Sequence, residues 1–503
     1  MSILSFEFLI FVAAVLLLTY ALPIRARWIS LTAASCIFVV CSGWQSVAHL
    51  SAIVLVTWLG GMGLAAVRNK SLLQRRLLLA LLLVLDIGAM AFVKYAPAVA
   101  AWLNNLAAGK LPALPVWELA APLGLSYFTF QTAGLLIDVY RGKAEPLRNP
   151  FKVWLFAGYF PQLAQGPIST WKELGNQLLT GHRLEPVQIV SGFQLMLWGY
   201  FKKLVIADRL VPMTTALLTD EPVPGWLAFG GLLFYAVRLY ADFSGGMDVV
   251  RGVSRMLGIE LPENFRRPFF SQSIAEYWRR WHITLGAWFR SCLMYPLITS
   301  RFGIGLGHSA SRLLGKKAGR VLPTALATLL IFLLIGIWHT ANWNALVYGG
   351  YFGIIMALSM LLEPVWKTIN RTLNLPKGGW MRFFRLLRTW LLVMAAQAFA
   401  FTASPRQGFS ILSQVFGGWS FSDFAQRMTA IMETREWIIL GTALLVLLAV
   451  DLLCERKVNV CERIAKAPIW VRWPLLLALI LSICVFGVYG AGFDGAAFVY
   501  AQF

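Results

Sequence analysis

Leu329-Leu-Ile-Phe-Leu-Leu-Ile-Gly-Ile-Trp-His339 is an apolar run that ends on a titratable side chain. With the residues before it, the run fills a candidate span at 321–340, about the twenty residues a helix needs to cross a hydrocarbon core. An imidazole embedded in such sequence is costly, so it points to chemistry more than to packing. The 503 residues contain only five histidines. A second one, His282, lies in Glu276-Tyr-Trp-Arg-Arg-Trp-His282-Ile-Thr-Leu-Gly-Ala-Trp-Phe-Arg290, again among aromatic residues.

The surroundings of both runs have the same character. The chain is 58% hydrophobic and 13% charged, with a mean hydropathy of +0.68. A soluble domain carries roughly 25% charged residues. The pattern predicts an all-α polytopic membrane protein with roughly 11–14 transmembrane helices plus re-entrant or interfacial helices. Candidate spans include 151–168, 187–201, 204–219, 226–245, 321–340 and 343–362. Phe6–Leu22 lacks a small-residue cleavage site and reads as a first transmembrane helix. There are no internal repeats or long linkers, so 1–503 reads as a single membrane domain.

The formal net charge is +21. Basic residues cluster on alternate connections: Arg25/Arg27, Arg68/Lys70/Arg75/Arg76, Arg141/Lys143/Arg148 and Lys202/Lys203/Arg209. Arg382/Arg385/Arg388 and Arg456/Lys457/Arg463/Lys466 continue the series. Cytoplasmic loops are enriched in such residues, so the pattern predicts a multi-pass protein with both termini extracytoplasmic. Short basic loops between apolar spans suit anionic lipid and argue against nucleic acid. The six cysteines have no metal-ligand spacing and form no disulfide framework.

The stretch 246–320 is too basic for a span. Trp278, Trp281, Leu285, Trp288 and Cys292 recur at three- and four-residue steps, which predicts one face of one amphipathic helix with Arg279, Arg280 and Arg290 off it. Such a helix lies at, or dips into, the cytoplasmic interface. A re-entrant segment carrying His282 implies a cavity open to the cytoplasm, because irregular backbone at depth is tolerated only where protein or water surrounds it. His339 ends its span toward the outer side. A path through the protein joins the two in this reading.

Several segments resemble the bacterial membrane-bound O-acyltransferases, the MBOAT family. They are Pro122-Leu-Gly-Leu-Ser-Tyr-Phe-Thr-Phe-Gln131 with Ile137-Asp-Val-Tyr-Arg-Gly142, and Tyr159-Phe-Pro-Gln162 with Gly166-Pro-Ile168. Asp242-Phe-Ser-Gly245 with Asp248 resembles the family's polar helix break. Pro262-Glu-Asn-Phe-Arg-Arg-Pro268 leads into the Trp-Arg-Arg-Trp-His282 element. Gly336-Ile-Trp-His339 with Trp343, and the closing Phe498-Val-Tyr-Ala-Gln-Phe503, complete the set. Ser291 departs from the family, where many members have Asp, and the loop after Tyr295-Pro-Leu297 lacks the Gly-Gly-rich form of the alginate type.

The resemblance implies the MBOAT fold, with helices around a tunnel, in a bacterial cytoplasmic (inner) membrane. It implies O-acyl transfer, most simply acetyl transfer to a cell-envelope polysaccharide. His339 would be the general base, and His282, near the cytoplasmic mouth or in the tunnel, would position the thioester or hydrogen-bond the acyl group. Tyr500, in the extracytoplasmic aromatic motif at 491–503, would carry the acyl group as a phenol ester, an activated ester. The expected donor is acetyl-CoA, with no bound cofactor and no metal. Its phosphates suit Arg279, Arg280 and Arg290, because guanidinium binds phosphate through paired donors, and Trp281 lies beside them. Asn342 and Asn344 flank Trp343 beside His339; an amide there either orients the imidazole or lines the tunnel, or else caps the next helix. With no soluble outer domain read in the chain, the final transfer calls for an extracytoplasmic SGNH-type acetyltransferase partner. D-alanyl transfer to teichoic acid from an acyl carrier protein is the alternative within the class. A lipid or polysaccharide transporter is the alternative outside it, though paired broken helices in repeated halves are missing.

Overall fold

The computed structural model describes residues 1–107, 121–218, 222–374 and 378–489. No β-strand occurs among them; one isolated antiparallel bridge joins Phe265 and Trp281. Helix is what apolar backbone in a bilayer requires, since every amide must find its partner within its own segment. Two early helices, α1 (Trp44–Ala66) and α2 (Leu72–Ala107), are long and apolar enough to span a membrane. They are followed by α3 (Leu125–Tyr140) and the 32-residue α4 (Gly225–Met256). Two short helices come next, α5 (Ile274–Arg280) and α6 (Ile283–Phe289). Then α7 (Lys316–His339) and α8 (Trp343–Leu361) are again span-like, α9 runs Gly379–Gln397, and α10 (Thr434–Glu455) and α11 (Ile469–Phe486) bring the span-like helices among the described residues to six. The chain is thus a multi-pass membrane protein.

By contacts the chain divides into two compact units. One holds Met1–Tyr200, Gly246–Glu263 and Val460–Ile480. Its helices approach closely through glycine: a side chain on Gly252 would meet the Gly192 carbonyl oxygen at 2.5 Å. Within it, Asp86 of α2 is fully buried and accepts a hydrogen bond from Thr132 of α3 at 2.8 Å. The other unit holds, among the described residues, Phe201–Gly245, Asn264–Asn459 and 481–489, and it carries both His282 and His339.

Several expectations from the sequence change here. The stretch 151–168 is two helices, Pro150–Gly158 and Phe160–Gln165, which part at Tyr159. The described part of the expected span, 204–218, is a π-helical turn, a 3-10 turn and a short α-helix in succession rather than a span. Lys202 and Lys203 are not loop charges at the cytoplasmic surface. Both are buried: Lys203 pairs with Asp242 at 2.7 Å and Asp208 at 2.8 Å, and Lys202 donates to Ser244 at 2.8 Å. The same contacts explain a further difference. The helix expected to break at Asp242-Phe-Ser-Gly245 runs unbroken, because lysines from the preceding segment satisfy its polar side chains in place.

Finally, the tryptophan-rich stretch is two helices, not one. α5 ends at Arg280, Trp281 is extended, and His282 is left-handed at φ +44 before α6 begins.

α7 and α8 form a tight hairpin that sets the position of Trp338 and His339. Gly336 and Gly349 allow the two backbones to touch: a Cβ on Gly336 would lie 2.2 Å from the Ala345 carbonyl oxygen, and one on Gly349 would lie 2.4 Å from that of Phe332. Small residues that allow such approach are how helices associate in lipid. Gly349→Val is therefore expected to lower the thermal stability of the detergent-solubilised protein by more than the roughly 1–3 kcal/mol typical of overpacking. Gly350→Ala, whose new methyl would meet nothing nearer than 3.7 Å, should leave it unchanged. Equal melting temperatures for the two variants would remove the hairpin's claim to this role.

Candidate active site

The site grows from the break at His282. A non-glycine residue in the left-handed region is strained and persists only where its surroundings hold it. Here the neighbouring segment does the holding. Arg266 N–H donates to the Arg280 carbonyl at 2.8 Å, and Ile283 N–H donates to the Asn264 carbonyl at 3.0 Å. These flank the Phe265–Trp281 bridge and clamp Asn264–Arg266 along the break. His282 is the N-cap residue of α6 but makes no cap hydrogen bond with its own side chain. Asn264 supplies it instead: its Oδ1 accepts from Thr284 N–H and Thr284 Oγ1, both at 3.0 Å.

Around the imidazole stands an aromatic wall. Phe243 of α4 meets it edge-on, with centroids 5.0 Å apart and planes at 83°. Trp281 is pinned between Tyr277, stacked at 5.6 Å, and Phe265, edge-on at 4.9 Å. His282 is 2% exposed, and this burial pushes its pKa down to about 3 from an ordinary 6.5. The side chain is therefore neutral throughout the physiological range.

Trp338 links the two histidines. Its ring lies 6.4 Å from the His282 ring and 4.5 Å from that of His339. His339 is the last residue of α7 and is half-buried. So the structure brings both predicted histidines to one indole, one sealed and one more accessible.

Arg280 is held by Glu276 at 2.8 Å and Glu455 at 2.9 Å, and Arg267 joins the same Glu455 carboxylate at 2.9 Å. Arg279 is exposed and Arg290 half-buried. Trp281 is 3% exposed and belongs to the aromatic wall. Asn342 caps α8, accepting from Ala345 N–H at 2.8 Å and from Thr340 Oγ1 at 3.1 Å. Trp343 is 74% exposed. Asn344 is buried and donates to the Thr402 carbonyl oxygen. Tyr500 and the motif at 491–503 lie outside the described residues.

Sequence reasoning passed over Phe243, Trp338, Asn264 and the Lys203 ion cluster. The last had a legible signal, since Asp242 stands in an apolar helix and demands a buried cation. Among the described residues no group of histidine, cysteine and carboxylate side chains is arranged to hold a metal.

A multi-pass helical membrane protein with a sealed imidazole and a half-buried one on a shared indole is the class that fold and site define. No family model matches the chain. A probable alginate O-acetylase AlgI from Azotobacter vinelandii is 31% identical over 418 residues, covering 81% of this chain and 76% of that one. The protein of the same description from Pseudomonas aeruginosa is 31% identical, over 73% of this chain and 65% of its own length. A Helicobacter pylori peptidoglycan O-acetyltransferase is 28% identical, over 56% of this chain and 55% of its own. The chain belongs to the membrane-bound O-acyltransferase family and is an O-acyltransferase.

Between pH 6.5 and about 3 the unfolded chain binds a proton at His282 that the folded chain refuses. Stability should therefore rise with pH across that window and level off above it. The melting temperature of the solubilised protein is expected to fall on acidification below pH 6.5, with a shallower fall for His282→Gln. Parallel curves for the two proteins would contradict a neutral buried His282.

Proposed function

We propose that this protein moves an acetyl group from acetyl-CoA, on the cytoplasmic side of a bacterial inner membrane, to the O-acetylation of a cell-envelope polysaccharide. The observation that carries the reading is the pair of imidazoles on Trp338. The acetyl-transfer names of the relatives support it, because an acetyl group on a carbohydrate hydroxyl requires a base and a sheltered thioester. His339 accepts the proton of the attacking hydroxyl while the new C–O bond forms. The C–S bond then breaks, and coenzyme A leaves as a thiolate that takes up a proton. Half-burial leaves His339 accessible to that hydroxyl, whereas the sealed His282 holds the donor. Arg279 and Arg290 remain for the donor's phosphates, Arg280 being engaged by two carboxylates.

The first hydroxyl to be acylated is that of Tyr500, which passes the group to an SGNH-type partner outside. Both termini are extracytoplasmic in this reading. The basic runs other than Lys202/Lys203/Arg209, whose residues are buried, carry that orientation.

Proteoliposomes given labelled acetyl-CoA on the His282 side test the scheme. Label is expected on the protein or on an added hydroxyl acceptor, reduced about a hundred- to ten-thousandfold in His339→Ala. Tyr500→Phe should lose the protein-bound label. Labelling by a carrier-borne D-alanyl thioester instead of acetyl-CoA would replace the donor. Failure of both donors would return the protein to the transporter class.

A further inference from the structure

We propose that Asn264 is a positioning residue: it fixes His282 as the tautomer with the proton on Nδ1, so that Nε2 is the nitrogen that accepts. This rests on the acyl-transfer reading above and assigns that site a residue outside the two histidines. The oxygen and nitrogen ends of an amide side chain look alike. The end of Asn264 that faces α6 receives the Thr284 backbone N–H at 3.0 Å. A backbone N–H can only donate, so that end is the oxygen. The Thr284 hydroxyl donates to the same oxygen at 3.0 Å. His282 Nδ1 lies 3.3 Å from it. A bare Nδ1 there would set lone pair against lone pair, so Nδ1 carries the hydrogen and donates. A neutral imidazole has one N–H, which leaves Nε2 as the acceptor.

Asn264 thus does two things with one side chain. It caps α6, a duty that His282 at the N-cap position does not perform. It also sets the polarity of the imidazole. The backbone clamp from Arg266 to Arg280 and from Ile283 to Asn264 holds the amide at this spot, and Asn264 is 1% exposed. With Nε2 accepting, His282 can accept a hydrogen bond from a hydroxyl or amide N–H of the donor or acceptor, but it cannot donate one to the oxyanion that develops on the thioester carbonyl. Oxyanion stabilisation has to come from another group.

Charged groups on the elements packed around the imidazole include Arg238, Asp248, Arg251 and Arg255 on α4, Arg279 on α5, and Lys316, Lys317 and Arg320 on α7, besides those in ion pairs. Asp242 on α4 is paired with Lys203 and Asp208 lies beside it; Arg280 on α5 is paired with Glu276 and Glu455. Glu263, Arg266 and Arg267 flank Asn264 in the clamped segment, and His339 follows Trp338 on α7.

Nitrogen-15 spectra of histidine-labelled full-length protein test the proposal directly, the His282 signals being assigned against His282→Gln. The expected spectrum has a protonated Nδ1 and a bare Nε2 between pH 6 and 8. Asn264→Asp keeps the accepting oxygen and the cap but adds a negative charge beside Nδ1–H. It should keep the tautomer and move the acid limb of the acetyl-transfer profile to higher pH, because an adjacent carboxylate favours imidazolium. Asn264→Leu should lower kcat by about ten- to a hundredfold, the usual cost of losing the partner that orients a working histidine, with little change in KM for acetyl-CoA. A protonated Nε2 in the wild type, or a folded Asn264→Leu with unchanged tautomer and kcat, overturns the proposal. The expected tautomer together with a fully active His282→Gln supports the Asn264 assignment and instead retires the catalytic reading of His282.

Discussion

An imidazole can sit at 2% exposure only if something other than water satisfies it and only if the backbone can deliver it there. Both demands meet at the left-handed residue between α5 and α6. Breaking the helix costs amide partners at the start of α6, and the segment around Asn264 returns them through one main-chain and one side-chain oxygen. The strain at His282 is thereby held by a bridge, two main-chain bonds and a cap, all from residues some eighteen positions earlier in the chain. The aromatic wall then closes on a side chain whose direction is already set.

The second constraint is close helix packing. In lipid there is little hydrophobic gain from bringing two apolar helices together, so contact has to come from small residues and from polar pairs. Gly336 and Gly349 supply the first in the α7–α8 hairpin, and the result is that Trp338 faces His282 while His339 ends the helix. Lys203 with Asp242 and Asp208 supplies the second, and Phe243, next to Asp242 on α4, meets the imidazole. Breaking one member of a buried ion group leaves the others uncompensated, so this cluster ties α4 to the turns before it with little tolerance.

Charges in this protein serve two purposes that look the same in sequence. Lys202, Lys203, Arg267 and Arg280 are committed to partners inside the fold. Arg279 is exposed and Arg290 half-buried. Counting basic residues along the chain treats them alike; the depth of each separates them.

The sequence by itself determined the class. Apolar runs of membrane length admit only helix, and the order of motifs from Pro122 to His339 carried the family. His282 and His339 stood out because titratable groups are rare in such surroundings. Only the tertiary structure decided how the two relate. That Trp338 touches both imidazoles depends on a helix crossing, and hydrophobic periodicity carries no information about which faces meet. The break at His282 was hidden because the tryptophan spacing suits one long helix; a clamp from a remote segment overrides that local pattern. Asn264 was invisible for the same reason, since a side chain that caps a helix elsewhere in the chain leaves no mark at its own position. Lys203 read as a loop charge because its two carboxylate partners are neighbours in space, one of them 39 residues away along the chain.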